Sequence, residues 1–212
     1  MKKLSLIATA VGVLAMPMSA LAESDINTVA AGPTSAAARL DFTIIIPRVL
    51  FLQVGTGTNM ADNTAIDNLT FTVPAANLGD GTDITPVGGD LGAGAVRVRV
   101  FGNNGNIGLT ATSPGALTSG TDTIPWSEIL VTPSAPLLAA VAAGYTPTAI
   151  AHPAIPTTAG VGAATSITAT NKVVRQEGIW TFKYDNSIAY AAGSYGATGG
   201  TNGRIVYTAT MP

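Results

Sequence analysis

The chain has 212 residues, 47% of them hydrophobic and only 10% charged, with no cysteine and a formal net charge of −2. The missing thiols exclude disulfides, thiolate chemistry and iron–sulfur ligation. The few basic residues form no cluster of the kind a phosphate backbone requires, so nucleic acid is not an expected partner.

Lys2 and Lys3 make a short positive region, Leu4 to Met16 an apolar run, and Ala20-Leu21-Ala22 places small residues at −3 and −1 of a cleavage site. Residues 1–22 therefore read as a cleaved leader; the apolar run is too short to span a bilayer, and no transmembrane segment is expected after cleavage. The exported chain would begin at Glu23. It is long enough to bury about 70% of its unfolded surface as one domain without metals or staples.

Residues 23–38 are small and polar, an extension that would be flexible if left alone. From Leu40 the pattern changes. Leu40, Phe42, Ile44 and Ile46 share one parity and Asp41 and Thr43 the other, the period of a half-buried strand whose apolar row faces the core and which ends at Pro47. Ile45 alone falls on the polar face. Val49 to Val54 reads as a second strand and "LTFTV" (69–73) as a third.

In "VRVRVFGNNGNIGLTAT", Val96, Val98 and Val100 face one way and Arg97 and Arg99 the other, and "GNNG" tolerates positive φ, so a tight hairpin is expected over 96–112. "WSEILVT" (126–132) reads as a strand. "APLLAAVAAGY" (135–145) has the alanine and leucine content of a short helix over 136–143. The proline-rich stretch to residue 163 reads as a long surface loop. Strands resume at 165–170, 178–184 and 203–210. Eight or nine short strands separated by turn residues predict an all-β antiparallel sandwich over 39–212, with a closed barrel as the alternative. An outer-membrane barrel fits less well, since aromatic girdles and regular ten-residue spans are not visible.

Chemistry is sparse. His152 is the only histidine and has no second nitrogen or thiolate ligand in the sequence, so it reads as a loop residue rather than a metal ligand or a catalytic base. Asp62, Asp67, Asp80, Asp83 and Asp90 lie in loops where oxygen ligands could hold calcium, but without the twelve-residue loop pattern; they read as turn formers. "GATGGTNG" lacks the GK[ST] of a phosphate loop. Trp180, Phe182 and Tyr184 share one face of a strand. Exposed, they would be a stacking platform for sugar rings; buried, they are core. Arg97 and Arg99 read as the solvated face of the hairpin, with an anion-binding stripe as the alternative. No cofactor, metal or catalytic set is expected.

At the carboxyl end, "YAAGSYGATGGTNGRIVYTATMP" carries a small-residue turn leading into a last alternating strand, Ile205, Tyr207, Ala209. It resembles the final strands of secreted pilin-like subunits of chaperone–usher systems. That resemblance implies an incomplete immunoglobulin-like sandwich whose missing strand is supplied by the amino-terminal extension of another subunit, with a periplasmic chaperone as a further partner. Ile26, Thr28, Ala30 and Gly32 alternate in the expected extension and are the candidate donor strand; their side chains are small, and Pro33 removes a backbone donor. The expectation is an exported, non-enzymatic structural subunit of the bacterial periplasm or cell surface. The alternatives are a secreted ligand- or glycan-binding sandwich and, more distantly, a hydrolase.

Overall fold

The computed structural model describes residues 23–196 and 201–212; the expected leader lies outside them. The chain divides into two compact units, Met1–Ile46 and Pro47–Pro212. Among the described residues, all sheet structure belongs to the second.

Its thirteen strands are β1 (Leu50–Val54), β2 (Leu69–Thr70), β3 (Val87–Gly88), β4 (Ala95–Gly102), β5 (Ile107–Ser113), β6 (Leu117–Ser119), β7 (Asp122–Ile124), β8 (Ile129–Ser134), β9 (Thr146–Pro147), β10 (Gly160–Val161), β11 (Thr165–Ile167), β12 (Val174–Tyr184) and β13 (Val206–Thr210). One sheet runs β1-β4-β12-β8, with the two-residue β9 also on β12. In a second sheet β5 is central: β13 pairs one edge over residues 108–112 while β10 and β11 follow each other along the opposite edge, and β2 with β3 and β6 with β7 make two small two-stranded sheets. The fold is an antiparallel β-sandwich.

Alternation explains the core. Val96, Val98 and Val100 of β4, Trp180 and Phe182 of β12, and Ile107 and Leu109 of β5 form one buried cluster shared by the two sheets. A smaller cluster around Ile84, Ile124 and Tyr184 fills one end.

Four expectations are corrected. The "GNNG" turn does not close a hairpin. β4 and β5 belong to different sheets and do not pair, so residues 103–106 form an arch carrying the chain across the core. A hairpin and an arch give the same alternation, because in both the apolar parity faces inward.

The 135–145 stretch forms only the 3₁₀ turn Leu138–Ala140. Beyond its own short-range turn bonds, its backbone groups are engaged by the outer face of the first sheet. Arg97 donates to the Ala140 carbonyl, Arg175 donates to that of Ala143, and the Ala142 amide donates to Glu177. Of these groups a helix over 136–143 would have used the Ala142 amide, whereas the carbonyls of its last turn would have had no partner within it.

The proline-rich stretch is not a surface loop throughout. Ile150 and Pro153 are buried, and the Trp180 indole donates to the Ile150 carbonyl at 2.7 Å. Gly178 makes room for it: a Cβ there would stand 2.7 Å from the Thr148 carbonyl oxygen. Ile150 and Pro153 thus plug the side of the core beside β12, while most of the stretch stays at the surface.

Finally, residues 40–46 are not a core strand. They belong to no strand, and Leu40, Phe42, Ile44, Ile45 and Ile46 are 71–87% exposed. The sandwich therefore starts at Pro47, eight residues later than alternation suggested.

Candidate assembly site

The described residues of the first unit fall into two parts. Residues 23–39 form a loop that turns at Gly32, whose φ of +96° is in the region glycine favours. Arg39 makes two 2.6 Å bonds to the Glu23 carboxylate, the Ala37 amide donates to Asp25, and Asn27 donates to the Ser35 carbonyl. Arg39 holds the Glu23 carboxyl below its usual range, yet the pair is exposed and stabilises little. Ile26, Thr28, Ala30 and Gly32 lie in this loop, exposed and outside any strand. The second part, residues 40–46, is the apolar row described above. Its large apolar side chains are contiguous and exposed.

In the second unit, β13 pairs only with β5 among the described residues, so its other edge carries free backbone donors and acceptors. Tyr207, Ala209 and Met211 point from this edge toward the core, as do Leu52 and Val54 from β1 at the edge of the facing sheet. All five are only partly buried. β1 and β13, edge strands of the two facing sheets, come into contact at this side of the sandwich, and these inward side chains pack against the core there.

The carboxyl end of β13 is tied down. Asn104 donates to the Pro212 carbonyl at 2.6 Å, and Arg48 donates to the same oxygen. Beside it, the Asn103 amide accepts from the Val49 amide at 2.9 Å and donates to the Pro47 carbonyl at 2.7 Å. One turn therefore fixes both the first residues of the sandwich and its last strand.

The remaining candidates fall elsewhere. His152 is not a free loop histidine. Its Nε2 lies 2.8 Å from the Tyr207 hydroxyl and its ring stands edge-on to Trp180 at 4.6 Å. Burial pushes its pKa down to about 4 and that of Tyr207 up. A neutral imidazole already bonded to a phenol is a core contact rather than a base aimed at a serine. Trp180, Phe182 and Tyr184 are all buried, which corrects the stacking-platform alternative: no part of that row is open to a sugar ring.

Arg97 and Arg99 are likewise not a solvated stripe. Both bind Glu177, which is 1% exposed at its side chain, and Arg99 also reaches Gln53 at 3.2 Å. The register explains this cluster, since Gln53, Arg99 and Glu177 are direct neighbours across β1, β4 and β12. Burial pushes the Glu177 carboxyl up, but Arg99, the Ala142 amide and Arg97 outweigh it and hold the pKa below the ordinary value. Sequence alone could not find this site, because nothing in "VRVRV" names its partner strand.

Asp67 accepts from the amide and hydroxyl of Thr56, Asp80 from the Thr82 amide and Asp90 from the Arg97 amide, so these three carboxylates serve turns. A surface groove of about 480 Å³ lies between β8 and residues 151–155, lined by Trp126, Pro133, His152 and Ile155 among others. None of its lining side chains is charged, and the Trp126 indole is already bonded to the Gly115 carbonyl. Comparison of the chain with protein-family models, with curated proteins and with solved structures finds no match.

Proposed function

We propose that the chain is an exported structural subunit of the bacterial periplasm or cell surface that assembles by β-strand addition. The observation that carries this reading is the exposed apolar row of residues 40–46 in a chain whose sandwich leaves the outer edge of β13 unpaired. An extended segment that adds to a sheet edge gains main-chain hydrogen bonds, and its alternate side chains fill pockets.

Strand order supports the immunoglobulin-like form of the reading. The order β1-β4-β12-β8 corresponds to the A-B-E-D sheet of such domains, and β5 with β13 to strands C and F of the other sheet. The place beside β13 is where strand G stands in a complete domain. A periplasmic chaperone that supplied a temporary strand there would keep the edge from aggregating before assembly.

The test is the state of the exported protein. Multimers that grow with concentration, or fibres on cells that label with an antibody to the chain, are expected. A monomer at high concentration, with no fibre and no chaperone complex, ends the reading.

A further inference from the structure

We infer that Glu128 and Asp185 form a cation site at the end of the sandwich where β8 begins and β12 ends, and that its ligand is a single calcium ion. The inference is independent of the strand-addition reading, since it involves neither residues 40–46 nor β13.

The register brings the two acids together. Tyr184 is paired with Ile129, and one step further the Asp185 amide donates to the Glu128 carbonyl at 2.7 Å. Glu128 closes the 3₁₀ turn Trp126–Glu128 and is 9% exposed. Its Oε2 is enclosed and has no hydrogen-bond partner among the described residues, and no other buried side-chain nitrogen or oxygen of those residues is left so. Asp185 is half-buried and accepts from the Ser187 amide at 3.0 Å through one oxygen, which leaves the other for a ligand. Burial raises the pKa of Tyr190, and the charge of Glu128, a hydrogen bond to it and the charge of Asp185 raise it further. Both carboxylates therefore lie near one phenol.

A carboxylate taken out of water is costly unless it is paired or coordinates a metal. No lysine, arginine or histidine of the described residues forms an ion pair with Glu128 or Asp185, and Lys183, two residues from Asp185, is turned to Asp83 at 3.6 Å. Asp80 stands beside the same turn but is engaged by Asn77, Thr82 and Asn186. The donors at hand are carboxylate, phenol and backbone carbonyl oxygens, all hard, which select calcium, magnesium or sodium over zinc or copper. Magnesium sheds its water reluctantly, which suits the enclosed Oε2 poorly, and two carboxylates match the charge of calcium better than that of sodium. Bound there, the ion joins the start of β8 to the turn after β12. Through Asn186, which donates to the Asn77 carbonyl and accepts from the Gly79 amide, it also steadies the 77–81 loop.

The test uses the exported chain, residues 23–212, freed of metal with a chelator. Its melting temperature is followed as calcium is added up to the millimolar range of extracellular sites. Terbium, a luminescent stand-in for calcium, is titrated with excitation through tryptophan, because Trp126 lies in the same turn as Glu128. Expected are a melting temperature that rises with calcium and terbium luminescence that saturates and is displaced by calcium. Glu128→Gln and Asp185→Asn should each weaken binding about tenfold or more, since the number of charged ligands sets the affinity. Asp83→Asn, at the same end but paired with Lys183, should bind as the wild type does. Asp185 is half-buried, so its variant reports even where Glu128→Gln does not fold. A wild type whose melting temperature ignores calcium and whose terbium luminescence never saturates overturns the site. Binding unchanged in Asp185→Asn or in a folded Glu128→Gln places the ion elsewhere and overturns the assignment. An equal response to magnesium or sodium overturns the choice of calcium.

Discussion

The Tyr207 hydroxyl meets Nε2 of His152 at 2.8 Å, so the last strand is bonded to the proline-rich plug that inserts Ile150 and Pro153 into the core. Trp180 packs on both rings, 4.6 Å from His152 and 5.1 Å from Tyr207. This contact ties the strand that carries the free edge to the buried centre of the fold.

The first prediction concerns acid. The folded His152 has a pKa near 4 against 6.5 for the free side chain, because burial disfavours the charged ring. As pH falls below 6.5 the unfolded chain takes up this proton and the folded chain does not, so stability falls until about pH 4 and is level below it as far as this group is concerned. The full difference is at most about 3 kcal/mol. Urea midpoints of wild type and His152→Gln, measured from pH 7 to pH 4, should diverge: the wild type loses the part of its stability that depends on this group and the variant does not. Parallel pH dependence of the two would refute the assignment.

The second concerns Glu177. Its carboxylate is enclosed by Arg97, Arg99 and the Ala142 amide. Glu177→Ala would leave the Arg99 guanidinium without its counter-ion, leave Arg97 only its longer 3.7 Å contact to Asp90, and free the Ala142 amide, at a cost of about 3–5 kcal/mol. Replacing Arg99 as well should cost much less than the sum of the single changes, because the orphaned charge goes with it. Denaturant unfolding of the four proteins gives the coupling, and simple additivity would show that the pair acts independently.

Period-two patterning revealed that this chain is a sandwich and which side chains line it. Val96, Val98, Val100, Trp180 and Phe182 all lie in the core as their parity demands. Patterning could not distinguish a hairpin from an arch at "GNNG", because inward parity is the same for a strand in either sheet. It also could not tell a strand that is covered from one that awaits a cover. Residues 40–46 alternate as a core strand would, yet they stand exposed. The isoleucine out of phase, Ile45, was the one local sign that this segment does not obey the rules of a half-buried strand. His152 and Glu177 were invisible for a further reason: their partners, Tyr207 and the two arginines, are more than fifty residues away in sequence.

A third prediction uses the two tryptophans. Trp126 and Trp180 are both buried, at 8% and 0% exposure. Iodide should quench neither appreciably in the folded protein and both after unfolding in urea. Trp180→Phe should lower stability by about 1–3 kcal/mol, since the indole donor to the Ile150 carbonyl and part of the core volume go together. Strong iodide quenching of the folded Trp126→Phe variant, which reports Trp180 alone, would show that the aromatic row is open after all.

The last prediction tests whether the plug is a fixed part of the core. Gly178 lies in the middle of β12 with its Cα facing the plug, and a methyl group there would approach the Thr148 carbonyl oxygen to 2.7 Å and the Ile150 side chain to 3.2 Å. The first distance is too short for any Cβ, and the obstacle is backbone, so the plug must shift. Overpacking of this kind costs about 1–3 kcal/mol. Gly178→Ala should therefore lower the melting temperature, although alanine fits a strand at least as well as glycine where nothing crowds it. A shift of the plug also pulls the Ile150 carbonyl from the Trp180 indole, so the loss should shrink in a Trp180→Phe background. Unchanged melting, or a full loss in that background, would mean that residues 148–150 do not press on β12.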